Sequence, residues 1–202
     1  DLNTARRALS GAGASNTAAL AFGGTLPPGA TAVTESWNGT SWSETGDLNQ
    51  ARCFAGDGAG TYTAALAAGG ATANDGSPPV IALTEIFNGT SWTEVGDLNT
   101  ARRTLAGGGI STSAILAGGD TGSTVGIAES WNGSAWSEVA DLTTTRRRAA
   151  GGGTSNTAAL IFAGTTGSNS ALTELWDGTS WTEVADMSSA RQLLGGTGTP
   201  AA

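Results

Sequence analysis

Five segments of this chain are near copies of one another, and they recur at an almost constant interval. DLNTARRALSGAG, DLNQARCFAGDGAG, DLNTARRTLAGGG, DLTTTRRRAAGGG and DMSSARQLLGGTG begin at Asp1, Asp47, Asp97, Asp141 and Asp186, spaced by 46, 50, 44 and 45 residues. A period of about 40–50 residues means one supersecondary unit per repeat, and in β-rich chains such a unit is usually a propeller blade. The repeats therefore predict blades at 1–46, 47–96, 97–140 and 141–185, with 186–202 opening a fifth, all in one domain.

Each full repeat has the same internal order. The Arg-bearing segment is followed by an apolar run ending in glycine (TAALAFGG, TAALAAGG, SAILAGG, TAALIFAG), then TESW, TEIF, AESW or TELW, then SWSE, SWTE or AWSE. Four short apolar or alternating runs separated by Gly-rich breaks predict four strands, hence an all-β propeller of four-stranded blades. The 32 glycines and abundant Ala, Ser and Thr suit closely stacked short strands. Asn-Gly or Asp-Gly sits between the two aromatics of each repeat (Trp37 and Trp42, Phe87 and Trp92, Trp131 and Trp136, Trp176 and Trp181), predicting a tight hairpin with positive φ angles between strands three and four. A Trp in every repeat predicts packing of large side chains against the Ala-rich strand of a neighbouring blade. The alternative is that some, such as Trp131 and Trp136, form exposed stacking platforms for sugars.

Glu35, Glu85, Glu129 and Glu174 are followed nine residues later by Glu44, Glu94, Glu138 and Glu183, and twelve later by the next Asp. That block keeps its length. The stretch between the glycine and the first Glu does not, running to 11, 15, 10 and 10 residues. Connections that vary on a fixed scaffold are expected at the surface, where they often carry binding contacts; the alternative is variation that is merely tolerated there. Asp75 and Asp120 lie in these loops, outside the shared acidic pattern, and are candidate ligand-binding residues. Arg6, Arg52, Arg102, Arg146 and Arg191 recur at one position; they predict either pairs with the glutamates that fix blade register, or a ring around the axis that attracts an anion.

Composition narrows the function. The nine basic residues are all arginine, there is no histidine, and the net charge is −8. An acidic surface repels polyanions, so nucleic acid is not an expected partner. Without histidine or lysine there is no Ser-His-Asp triad, His-ligated metal or Schiff base. No cofactor or metal is expected. A glycosidase needs only two carboxylates, but every Glu falls in a repeated register, whereas an active site breaks symmetry. The single Cys53 cannot form an internal disulfide, and no apolar run approaches the ~20 residues of a membrane span.

The Arg-Gly, apolar-Gly-Gly, aromatic and Trp order resembles the kelch repeat. Its glycine doublet stands at Gly23-Gly24, Gly69-Gly70 and Gly118-Gly119, with Ala163-Gly164 as the departure, and the turn before the Trp is shorter than is common in kelch repeats. NTAALAFGG, NGTSW and DLNTAR are also similar to repeats in virion proteins of marine bacteriophages, tail fibres and other structural proteins among them. The resemblance implies a non-catalytic propeller segment, extracellular or in a virion, that attaches to a surface glycan or partner protein, or else a structural spacer. A sialidase-like enzyme is the more distant alternative. Because the fifth copy stops in mid-repeat, the expectation is that a longer chain supplies missing blades, that a small ring closes with the extra strand, or that several copies associate.

Overall fold

The computed structural model describes residues 1–73 and 79–198. Among these residues there is no helix, and four antiparallel four-stranded sheets are arranged as a four-bladed β-propeller. Blade 1 comprises β1 (Ser10–Ser15), β2 (Ala18–Phe22), a small outlying hairpin of β3 (Thr25–Leu26) and β4 (Gly29–Ala30), then β5 (Thr34–Trp37) and β6 (Trp42–Glu44). Blade 2 has β7 (Ala59–Thr61), β8 (Ala64–Ala68), β9 (Thr84–Phe87) and β10 (Trp92–Glu94). Blade 3 has β11 (Ala106–Ile110), β12 (Ser113–Ala117), β13 (Ala128–Trp131) and β14 (Trp136–Val139); blade 4 has β15 (Ala150–Ser155), β16 (Ala158–Phe162), β17 (Thr173–Trp176) and β18 (Trp181–Val184). Strands pair in chain order within each blade, as consecutive hairpins do.

The hairpin between the last two strands is made in an unexpected way. Gly39, Gly89, Gly133 and Gly178 do take positive φ, but the preceding Asn or Asp does not. Asn38 works through its side chain: Oδ1 accepts the N–H groups of Thr40 and Ser41, each at 2.9 Å. Asp177 does the same for Thr179 and Ser180 at 2.8 Å. This is an Asx turn, which explains why Asp replaces Asn without changing the hairpin.

Among the described residues, three apolar cores lie between blades, one at each seam between consecutive blades. Leu20 and Phe22 of blade 1 meet Ala65, Ala67, Phe87 and Trp92 of blade 2. Leu66 and Ala68 meet Ala114, Leu116, Trp131 and Trp136 in the second seam, and Ile115 and Ala117 meet Ala159, Ile161, Trp176 and Trp181 in the third. Alternation along the second strand thus sends successive residues to opposite neighbours. At the first strands the sheets approach backbone to backbone. A Cβ added at Gly58 would overlap the carbonyl oxygen of Gly11, and one at Gly108 would overlap the N–H of Gly153. Side chains are excluded there, and glycine is the physical requirement.

A backbone ladder also crosses the seams. The N–H of Phe54 donates to Ala8 O at 3.1 Å, Thr104 to Phe54 O at 2.8 Å, Arg148 to Thr104 O at 3.1 Å and Leu193 to Arg148 O at 3.1 Å. All five residues hold φ between 53° and 59°, the left-handed region that non-glycine residues avoid. Among the described residues no comparable seam joins blade 4 back to blade 1. The open face of blade 4 is instead approached by the fifth repeat, where a Cβ at Gly196 would overlap Gly151 O.

Within each repeat a buried ion pair ties the leading segment to the sheet. Arg6 pairs with Glu35, Arg52 with Glu85, Arg102 with Glu129 and Arg146 with Glu174, with at most 1% of any of these side chains exposed. Glu129 Oε2 also accepts the Asn99 N–H at 2.7 Å and the Asn99 amide at 2.8 Å, while Arg102 donates to the carbonyls of Gly118 and Leu116. Burial tends to raise the Glu35 pKa, but Arg6 and the N–H groups of Asn3 and Thr4 outweigh it and hold the carboxyl below its usual value. Breaking one member of such a pair leaves an uncompensated buried charge and costs about 3–5 kcal/mol. Glu129→Ala should therefore lower the unfolding free energy by that amount in chemical denaturation, whereas Glu138→Ala, on the exposed edge of the same blade, should stay within about 0.5 kcal/mol.

Candidate binding face

The variable connections leave every blade from one place and are framed by the same bonds. Past the glycine, residues 25, 71, 120 and 165 bridge to residues 7, 53, 103 and 147 of their own repeats. The loops return through Thr31 to Gly24 O, Ile81 to Gly70 O, Val125 to Gly119 O and Ser170 to Gly164 O, at 2.9 to 3.0 Å. Four loops of different length and sequence thus stand on one repeated frame. Pro27, Pro28, the 121–123 stretch and the 166–169 stretch are exposed at their tips. Asp75 lies outside the described residues.

Beside the first loop is a groove of about 600 Å³ lined by Ala5, Arg6, Arg7, Thr25, Leu26 and the Pro27–Pro28 pair. Arg6 is committed to Glu35. Arg7 is exposed, and among the described residues its guanidinium has no carboxylate partner. Its counterparts Arg103 and Arg147 both converge on Asp120, which joins the third and fourth repeats across their seam. Burial would raise the Asp120 pKa, but the Gly122 N–H and the two guanidiniums hold it below the usual range. Asp120 is therefore a charged latch whose oxygens are already engaged.

The other candidates from the sequence are also engaged internally. Trp131 is fully buried and donates Nε1–H to Ser111 O at 2.9 Å; Trp136 is 6% exposed and donates to Thr84 Oγ1 of the preceding blade at 2.9 Å. Neither ring offers a face on which a sugar could stack. Arg52, Arg102 and Arg146 are buried as whole residues, and with Arg6 they spend their guanidiniums on glutamates and carbonyls. They do not make an open ring for a dissolved anion. Arg191, the fifth, is exposed.

A third acid, Asp57, lies with Asp75 and Asp120 outside the acidic pattern that the repeats share. Asp57 occupies the position that is Gly11, Gly107, Gly151 and Gly196 in the other repeats. Its carboxylate reaches across to the first strands of blades 3 and 4. Burial drives its pKa up from 3.8 to about 7, against the opposing N–H groups of Gly107 and Gly151. The signal in the sequence was a carboxylate standing where every other repeat has glycine.

No family model matches the chain, and no curated protein sequence matches it. Among the described residues there is no cluster of three or more His, Cys, Asp or Glu side chains able to hold a metal, and no helix long and apolar enough to cross a membrane.

The folded protein binds a proton at Asp57 that the unfolded chain releases above about pH 4. That contribution to stability is present below the unfolded pKa and is lost as pH rises through about 7. Measured as the difference between the native chain and Asp57→Asn, stability should fall between about pH 4 and pH 7 and be level above it. A pH-independent difference would show that Asp57 titrates normally.

Proposed function

We propose that the chain is a non-catalytic binding module that attaches to a surface glycan or a partner protein through the loops of one face. The observation that carries this reading is the contrast between frame and loop: the same bridge and return bond hold each connection, while length and sequence change from blade to blade. Selection for packing alone gives no reason for four different loops. The groove beside Arg7 supplies a concave surface with an uncommitted cation, suited to a carboxylate-bearing sugar or an acidic peptide.

The same chemistry weighs against catalysis. Glu35, Glu85, Glu129 and Glu174 have their oxygens filled by arginine and N–H donors, so none is placed to act as a general acid or base. The kelch-like order of the repeat, and its likeness to phage virion repeats, favours an extracellular or virion setting such as a tail fibre. A spacer role is the second reading, favoured by the burial of Trp131, Trp136 and Trp176.

Binding to a panel of bacterial surface polysaccharides and intact cells separates the two. Attachment predicts saturable binding that is lost when residues 25–30 and 121–124 are replaced by Gly-Ser, and weakened about tenfold by Arg7→Ala, with Trp fluorescence unchanged. Absence of binding across the panel by the folded protein would favour the spacer.

A further inference from the structure

The two faces of the propeller differ in chemistry, and the difference runs through every blade. The four strands of a blade are antiparallel and in chain order. Its inner turn, between strands one and two, and its outer turn, between strands three and four, therefore open at one face, while the variable connection and the next leading segment open at the other. Indole bonds agree with that grouping: Trp37 Nε1–H donates to Asn16 O, Trp131 to Ser111 O and Trp176 to Asn156 O, each at 2.9 Å, tying an outer turn to the inner turn beside it. All nine arginines lie in the leading segments, on the opposite face. The inner turns (16–17, 62–63, 111–112, 156–157) and outer turns (38–41, 88–91, 132–135, 177–180) are made of Asn, Gly, Ser and Thr with one Tyr and one Ala, and their single charge is Asp177. In a chain of net charge −8, one face is thus almost free of charge.

That face carries fixed hydrogen-bond donors. Oδ1 of Asn38, Asn88 and Asn132 accepts the N–H groups of the second and third residues after it, at 2.9 to 3.0 Å. Only the oxygen of an amide can accept from backbone N–H, so the orientation of each amide is set. Among the described residues Nδ2 makes no hydrogen bond, and its two N–H groups remain for an outside acceptor. All three asparagines are exposed and occupy one position on successive blades. The same face carries an exposed ring. Tyr62, 42% exposed, stands where the other repeats have Asn16, Ser111 and Asn156; Ile110, 46% exposed, stands where they have Ser15, Thr61 and Ser155. Tyr62 follows β7 and Ile110 closes β11, strands that pack against each other across the second seam.

We propose that this face binds an uncharged polysaccharide, its sugar rings stacking on Tyr62 beside Ile110 and its hydroxyl oxygens accepting from the Asn38, Asn88 and Asn132 amides. Neutral, hydroxyl-rich sugars are held by amide donors, hydroxyl groups and an aromatic ring, and gain nothing from the arginines on the other face. Tyr62 and Ile110 supply too little apolar surface for the core of a protein interface, which argues against a second copy of the chain as the occupant. The donors stand on separate blades, so a polymer that spans them gains by multivalency what a single sugar does not. The site lies opposite the loop-bearing face and does not depend on it.

Asp177 supplies an isosteric control. Its Oδ1 accepts from Thr179 and Ser180 at 2.8 Å in the same turn. Asn38→Asp, Asn88→Asp and Asn132→Asp combined should therefore keep the circular dichroism spectrum and melting temperature while replacing each free amide with a carboxylate oxygen that cannot donate. The test is binding of the full chain, of this triple variant and of Tyr62→Ala to immobilised dextran, mannan and galactan, with polygalacturonate as the anionic control. The native chain should bind at least one neutral polymer saturably and equally well at about 50 and about 500 mM salt. Replacing residues 25–30 and 121–124 by Gly-Ser should leave that binding unchanged. The triple variant and Tyr62→Ala should each weaken it by about tenfold or more. Absence of binding to all three neutral polymers overturns the proposal, as does binding that the triple variant and Tyr62→Ala leave unchanged. Self-association that is lost in Tyr62→Ala, without binding to any polymer, overturns it in favour of a second copy.

Discussion

Everything in the blades depends on a charge that is buried and paired within its own repeat. The leading segment of each repeat has few apolar side chains and would not hold to a sheet by burial alone. An arginine and a glutamate about 27 to 33 residues apart fasten it. The guanidinium also ties carbonyls at the ends of the second strand, and the carboxylate gathers the N–H groups at the start of the segment. Desolvating two ions is costly, and this geometry offsets that cost by filling their remaining donor and acceptor positions. Because both charges come from one repeat, these four pairs add no charge to the apolar cores between blades.

The seams then follow from size. Close approach of the first strands demands glycine, and the space that opens away from them takes Trp against Leu, Ile, Phe and Ala. Indole N–H groups cannot be left unpaired in such a layer. Threonine of the preceding blade supplies the acceptor twice. Where Ala128 replaces that threonine, the indole of Trp181 turns to the carbonyl of Ala140. The tolerance of this substitution shows that satisfying the donor, more than the identity of its partner, is what the seam requires.

Acids outside the repeat serve the contacts between blades. Asp120 draws two arginines from successive repeats together, and Asp57 sends a carboxyl toward the first strands of two others. Symmetry-breaking residues in a repeat protein invite a functional reading, yet these two are explained by contacts within the chain. Arg7, by contrast, has no carboxylate partner among the described residues.

The sequence by itself determined the repeat, the four strands in each copy and the hairpin between the paired aromatics, because these depend on local pattern: alternation, glycine at turns and a fixed spacing. It also offered the Arg–Glu pairing as one of two readings. Tertiary structure decided between them, since only the packed blade shows that Arg102 and Glu129 meet in the interior with no open face left. It likewise decided that Trp131 and Trp136 are packing residues and that Asp120 is a latch, because a side chain's neighbours in the next blade lie some fifty residues away in sequence and no local pattern records them. That the Asx side chain, and not a positive φ at Asn38, closes the turn was also beyond the sequence: both routes use the same two residues, and only backbone geometry separates them.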